Sequence, residues 1–437
     1  MSVLLVLLTL ALPLQNPFGS HIQRAPQRKL PPDIVLILAD DFGVDMVRAY
    51  GEGAAPPCTP NIDALAARGM LFRNAWSSPV CSPARASLLT GRYGFRTGIG
   101  EQVAPATAGL SLSETTVPEM LQGYASTCAG KWHLSGNLGN LHPNNSGFGH
   151  FAGSLRGELT DYFQWSKVID GQMSTSTTYA TTDTVNEAIT AMSAMPHPWF
   201  LFVSFNAPHA PFHVPPPSLC PSPACANTWC GNLPPSPTTR DLGKAMTEAM
   251  DTEIGRLLAA LDAQDPNAMV FFMGDNGTAS LVSEAPFLPT HAKDTLYEGG
   301  INVPLIVRGP GVAHGECAAL VSCTDLFATF AQLAQVPATA QDSVSMVPYF
   351  SNPALSLRTR VYAEGFSPNN GTLPFPTHRR AIRDSRYKLI RITGQADELY
   401  DLQADPFEAS NLLPNLTSQQ QQAYDALQAE LVAMGVG

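Results

Sequence analysis

This chain encodes an α/β protein with a mostly parallel central sheet, followed by a smaller α+β portion with an antiparallel sheet. Four apolar runs, at 34–38, 124–129, 199–205 and 269–273, lack the alternation of a half-exposed strand and suit strands covered on both faces. Segments of helical periodicity lie between them, the order expected of repeated strand-helix-strand units. Residues 31–355 are assigned to the larger portion, 356–437 to the smaller one, and 1–30 to a leader.

Residues 3–14 form an apolar run too short to span a bilayer and of the length of a signal-peptide core, so export is expected and a membrane span is not. The first strand, 34–38, runs into Asp40-Asp41. A helix over 60–68 is opened by Thr59 and stopped by Gly69. The next is short: Ser82 is a good N-cap, Pro83 suits the first helical position, and 84–90 is closed by Gly91. Cys81 then sits at a helix N-terminus one turn from Arg85, where an ordinary thiol is expected to be acidified.

The strand at 124–129 leads to Lys131-Trp132-His133, that at 199–205 to Asn206-Ala207-Pro208-His209, and that at 269–273 to Gly274-Asp275-Asn276-Gly277. Amphipathic helices are predicted over 181–195 and 240–264. Between His209 and Arg240 a proline-rich stretch without carboxylate, Lys or Arg reads as an ordered surface insertion, either shaping substrate access or acting as a pinned spacer. After a helix over 324–334 and a connector to about residue 355, short strands at 361–364, 378–383 and 387–392 precede a helix over 418–434.

Composition limits the partners. With 25 basic and 36 acidic residues the formal net charge is −11, which argues against nucleic acid or an anionic membrane. An anionic substrate must therefore be held by a local cluster of cations. Eight cysteines fit an oxidising compartment. With Cys81 reserved for chemistry, Cys317 with Cys323 and two of Cys220, Cys225 and Cys230 are the candidate local bridges.

In open α/β sheets ligands bind beyond the carboxyl ends of the strands, and the polar clusters all fall there. Each alone has a dull explanation as a turn, a surface histidine or a loop. Together they predict one site. Asp40, Asp41, Asp275 and Asn276 offer only oxygen donors, a set for Ca²⁺, with Mg²⁺ second, and a poor one for zinc. Arg85, Lys131, His133, His209 and Lys293 supply the cations.

The segment Cys81-Ser82-Pro83-Ala84-Arg85, followed by Ala86-Ser87-Leu88-Leu89-Thr90-Gly91-Arg92, resembles the signature of the type I sulfatases. So do residues 34–41, 59–66, Gly130-Lys131-Trp132-His133-Leu134, Gly274-Asp275-Asn276-Gly277, 293–300, and the tail segments 387–390 and 398–402, in the family's order. The resemblance implies an alkaline-phosphatase-like core and oxidation of Cys81 to formylglycine by a maturation enzyme. It further implies that Asp40, Asp41, Asp275, Asn276 and residue 81 hold the metal and that Arg85 orients the hydrated aldehyde. Lys131 and Lys293 would clamp sulfate, and His209 with Lys293 would assist the leaving alcohol. One hydroxyl of the diol attacks sulfur to form a covalent sulfate ester. His133 then takes the proton of the second hydroxyl, the aldehyde re-forms and sulfate departs.

Such esters are inert enough to require ~15–20 kcal/mol of transition-state stabilisation, more than any one group supplies. The expected substrate is a sulfated small molecule or glycan, aryl or carbohydrate. A phosphonate or phosphate monoester hydrolase is the nearest alternative, and a non-catalytic secreted glycan-binding protein the one from another class. Three departures from the family pattern stand out. Asp294 follows Lys293 where Gly is frequent, the sulfate-contacting serine has only Ser154 as a counterpart, and Asn276 lies in an Asn-Gly-Thr sequon. Specificity is expected from the Cys220 insertion and from the surroundings of Arg156, Asp161 and Tyr162.

Overall fold

A computed structural model describes residues 31–220 and 228–437, so the expected leader at 1–30 lies outside the described residues. Residues 31–437 cluster as one compact unit carrying two sheets. The large sheet holds β1 (Ile34–Ala39), β2 (Met70–Trp76), β3 (Ala125–Gly130), β4 (His150–Gly153), β5 (Trp165–Ile169), β6 (Gln172–Ser176), β7 (Trp199–Ser204), β8 (Met269–Gly274), β9 (Leu305–Arg308) and β10 (Gly315–Ser322). Their order across the sheet is β10-β2-β9-β8-β1-β7-β3-β4-β5-β6.

The four sequence-predicted strands are the neighbours β8, β1, β7 and β3, all parallel. Their unbroken apolar character has a direct cause. Ile34, Leu36 and Leu38 of β1 enter one core with Leu88, Leu89, Phe327 and Phe330, while Val35, Ile37 and Ala39 enter the other with Val185, Met246 and Leu257. Helices Cys81–Thr90 and Asp325–Leu333 thus cover one face, and Pro60–Ala67, Ala180–Ala194 and Thr239–Gln264 the other. Burying each large side chain contributes ~1.5–3 kcal/mol, so no polar residue is tolerated until the strands end.

Register then fixes where they end together. Ala39 lies opposite Gly274, Leu38 opposite Ser204, and Ser204 opposite Gly130. The polar residues that follow share one edge.

The sheet is mostly parallel, as expected, with antiparallel pairing confined to its flanks, where β9 runs antiparallel between β8 and β2, and β5 and β6 form an antiparallel edge hairpin. That hairpin turns on Asp170-Gly171, both at positive φ, an Asp-Gly signal present in the sequence. Cys317 and Cys323 are both reduced and buried. They lie at the start and just past the end of extended β10, and six residues of strand span about 20 Å, far beyond disulfide reach. Cys220 does pair with Cys230, and Cys58 is also disulfide-bonded. The insertion is pinned further by Glu248, whose carboxylate accepts the N–H groups of Trp229 and Cys230.

Thr59 precedes the Pro60–Ala67 helix as expected but its side chain makes no cap hydrogen bond. The orphan N–H groups of Asn61 and Ile62 are accepted by Asp251 of the neighbouring Thr239–Gln264 helix, at 3.1 and 2.8 Å. A tertiary carboxylate has displaced the local cap.

The small sheet is antiparallel, in the order β11 (Val361–Ser367), β12 (Thr377–Arg383), β13 (Tyr387–Ile392), β14 (Glu398–Asp401). Leu427 and Leu431 of the Ser418–Ala433 helix pack on its Leu389 and Leu399. Its other face meets the large unit through Trp76, Leu296 and Ile301. Lys388 of β13 is buried between Glu298 and Glu408, at 3.0 and 2.7 Å.

Candidate active site

The edge where β1, β8, β7 and β3 end carries a buried, charged cluster. Asp40 and Asp41 follow β1, Asp275 and Asn276 follow β8, and Lys131 to His133 follow β3. His209 lies five residues beyond the end of β7. Cys81 is the first residue of its helix, directly below the carboxylates: its Sγ is 3.3 Å from Asp40 Oδ1 and 4.0 Å from Asp41 Oδ1. One ligand atom from each of Asp40, Asp41, Cys81 and Asp275 falls within 4.8 Å of the others. All four residues are buried.

Cations interleave the acids. Lys131 Nζ contacts Asp40 Oδ2, and Lys293 Nζ lies 2.6 Å from Asp41 Oδ1. Arg85, fully buried, donates from Nε and Nη2 to Asp275 Oδ2 at 3.2 and 2.8 Å. Its Nη1 donates to the Lys131 carbonyl at 2.9 Å and to Ser204 Oγ at 2.6 Å. His209 Nε2 is 3.8 Å from Asp41 Oδ2. Every site residue predicted from sequence except His133 is therefore joined to the cluster by a direct contact. His133 follows Lys131 in the same turn, and a β-carbon on Gly157 would lie 2.2 Å from its Cε1, so the loop after β4 rests on the imidazole.

Burial and neighbours set the charges. Burial alone would raise Asp40, but Lys131, then His209 and Arg85, outweigh it and hold the carboxyl well below its usual range. Burial, with the Asp40 charge second, pushes Asp275 up to about 6. Burial and the charges of Lys131 and Arg85 hold His133 far below its ordinary value, so the ring is neutral; its buried Nδ1 has no hydrogen-bond partner among the described residues. For Lys293 the nearby Asp41 overcomes burial and raises the ammonium.

The Cys81 thiol contradicts the expectation of acidification. Burial first, and Asp40 second, push it up, outweighing Lys131 and Lys293. The helix entry also differs. The helix starts at Cys81 with Val80 as N-cap and Pro83 third, and Ser82 is no cap: its Oγ donates to the His133 carbonyl at 3.0 Å and accepts from Val103 N.

A bound dication fits these residues. Three carboxylates supply hard oxygen donors, and Asn276 Oδ1, buried, has no hydrogen-bond partner among the described residues, while its Nδ2 donates to Asp41 Oδ1 and the Gly277 carbonyl. An orphaned buried acceptor in a residue bonded to Asp41 is what a cation would satisfy. Full burial of Asn276 also leaves its sequon closed to glycosylation.

The departures resolve physically. Asp294 has φ 69°, the left-handed region that glycine adopts freely, and its carboxylate points away from the cluster to Arg379 Nη2 at 2.8 Å. Asp41 and His133 share that unusual backbone, at φ 60° and 59°, strain found at functional sites. Ser154 Oγ is occupied by Asn206 Nδ2 at 3.1 Å. Tyr162 is buried and braces the His209 loop, its hydroxyl 2.6 Å from the Asn206 carbonyl and 2.7 Å from that of His209. It lines no surface, whereas Arg156 and Asp161 are exposed.

Sequence reasoning missed Ser204, which joins Arg85 to the Lys131 carbonyl, and Ser77, which donates to the Asp275 carbonyl at 2.5 Å. The lone hydroxyl ending the run Trp199 to Val203 was the available signal.

Comparison with known proteins agrees with this geometry. A model of the Sulfatase family matches residues 32–336, and one described as N-sulphoglucosamine sulphohydrolase, C-terminal, matches 290–435. Human N-acetylgalactosamine-6-sulfatase is 33% identical over 393 residues, covering 79% of this chain and 70% of that protein. Arylsulfatase G of Rattus norvegicus is 30% identical over 433 residues, covering 85% and 77%. The crystal structure of Ps i-CgsB in complex with k-i-k-neocarrahexaose superposes with a TM-score of 0.76 at 25% identity, covering 91% of this chain and 92% of that one. The PsFucS1 sulfatase from Pseudoalteromonas sp. shares the fold, with a TM-score of 0.71 at 23% identity over 93% and 91%. The chain belongs to the sulfatase family and is a sulfuric ester hydrolase.

Proposed function

We propose that the protein cleaves carbohydrate sulfate monoesters, with residue 81 oxidised to formylglycine by a maturation enzyme and a Ca²⁺ ion, in preference to Mg²⁺, held by Asp40, Asp41, Asp275, Asn276 and residue 81. The observation that carries this reading is the gathering of three carboxylates and Cys81 within 4.8 Å beside the unpartnered Asn276 Oδ1. When bound, the ion offsets the carboxylate charge and polarises the oxygens it meets, and the hydrated aldehyde supplies a hydroxyl nucleophile where the gene encodes a thiol. Arg85, anchored by Asp275, the Lys131 carbonyl and Ser204, orients residue 81. Lys131 and Lys293, paired with Asp40 and Asp41, present ammonium groups to the sulfate oxygens. His133, neutral with a free Nδ1, accepts a proton, and the partly exposed His209 delivers one to the leaving alcohol.

Similarity to a sulfatase named for a sulfated amino sugar, and to a structure holding a neocarrahexaose, supports a sugar rather than an aryl leaving group. Export, in keeping with the disulfides Cys220–Cys230 and at Cys58, belongs to the same reading. No helix among the described residues is long and apolar enough to cross a membrane.

Mass analysis of the peptide carrying residue 81, from protein made with and without the maturation enzyme, tests the proposal. Sulfate release should track the aldehyde-containing fraction. Full turnover by protein whose residue 81 remains a thiol would overturn it.

A further inference from the structure

The loop after β4 links the two histidines of the site. Ser154 at its start is bonded to Asn206, Gly157 lies against the His133 ring, and Tyr162 is anchored to the carbonyls of Asn206 and His209. Two exposed side chains stand out on this otherwise fastened loop. Arg156, adjacent to Gly157, makes no ion pair or hydrogen bond among the described residues, although the chain carries 36 carboxylates. Phe163, next to Tyr162, is 43% exposed.

Phe163 is also packed against neighbours. Its ring packs on Tyr179 at 5.1 Å and His213 at 5.4 Å between centroids, and its N–H is accepted by Asp161 Oδ1 at 2.7 Å. His213 in turn is bonded to Tyr179 and packs on Tyr162 at 4.5 Å. An aromatic disc held by neighbours on one side, and open on the other, offers an apolar face of the kind that covers the C–H surface of a sugar ring. A guanidinium without a partner offers a bidentate site for a carboxylate or sulfate. The other charges of this loop are Glu158, exposed, and Asp161, engaged by Phe163 N.

We infer that Arg156 and Phe163 form the leaving-group subsite, which takes a sugar ring against Phe163 and reads a second anionic substituent of the substrate through Arg156. The inference rests on the sulfate-ester reading above and names the alcohol that the site releases. The chemical class is an acidic or multiply sulfated saccharide.

Three substrates separate the possibilities: 4-nitrocatechol sulfate, N-acetylgalactosamine 6-sulfate, and the same sugar joined to glucuronate. F163A should lower kcat/KM for both sugars at least about tenfold more than for the aryl sulfate. R156A should do so for the glucuronate-bearing disaccharide alone, and R156K should recover only part of the loss, because it keeps the charge without the fork. Calorimetric titration of the disaccharide into C81A protein, with and without R156A, reads the same contact without turnover, and Kd should rise about tenfold. Unchanged substrate ratios together with an unchanged Kd would overturn the subsite. Failure of the matured wild-type protein on all three substrates, by contrast, would overturn the sulfate-ester reading on which it rests.

Discussion

Replacing Ser204 by alanine asks whether the site depends on the anchoring of Arg85. Ser204 is fully buried, accepts from Arg85 Nη1 at 2.6 Å and donates to the Lys131 carbonyl at 2.7 Å. In the variant Arg85 keeps Asp275 and the Lys131 carbonyl, so no charge is orphaned. The cost is one hydrogen bond to a charged group, ~1.5–3 kcal/mol, and one neutral bond of ~1 kcal/mol, or about 2–4 kcal/mol of native stability. A lowered urea midpoint at unchanged slope would register this. Looser placement of Arg85 and of the Lys131 backbone should also reduce kcat/KM by ~10–100-fold, equivalent to ~1.4–2.8 kcal/mol. Position 204 is outside the Cys81 to Arg85 segment, and peptide mass analysis would verify that residue 81 is matured equally. S204T, which keeps the hydroxyl, should recover part of both losses. A wild-type midpoint with kcat/KM within about twofold would refute the reasoning.

C81A should abolish turnover of 4-nitrocatechol sulfate while moving the urea midpoint by no more than ~1–2 kcal/mol equivalent, since the side chain removed is small; retained turnover would unseat residue 81. Exhaustive treatment with EGTA should remove activity, and Ca²⁺ should restore it more fully than Mg²⁺, with the sulfate release rate as the readout. At Asp251, burial pushes the carboxyl up to about 7 despite the N–H groups of Asn61 and Ile62. Between the ordinary carboxylate value and about 7 the native chain holds a proton that the unfolded chain has released, so this group takes away stability as pH rises through that window. D251N should flatten that slope in denaturant midpoints measured across it, whereas T59A should stay within ~0.5 kcal/mol of wild type at every pH. An unchanged slope in D251N would refute the assignment.

The strand ends were legible because a strand buried on both faces announces itself by unbroken apolarity, and the first polar residue after it marks the sheet's functional edge. Asp40, Lys131, His209 and Asp275 could be gathered on paper for that reason. What escaped depends on contacts across the fold. Ser204 reads as an ordinary serine until Arg85 is brought beneath it from a helix 119 residues earlier. Thr59 has the right chemistry for a cap, yet Asp251 takes the hydrogen bonds because the neighbouring helix buries its carboxyl group against those N–H groups. The Cys81 thiol was misjudged since helix and guanidinium are visible in sequence, while its full burial and the proximity of Asp40 are not.

Arg379 of β12 donates to both the carbonyl and the carboxylate of Asp294, one residue from Lys293, whose own N–H is bonded to the Thr278 carbonyl. The small sheet therefore reaches, through one exposed ion pair, the residue next to Lys293. Anyone shortening this chain for expression, or grafting its tail from a cousin, would be removing both that tether and the packing of Trp76, Leu296 and Ile301.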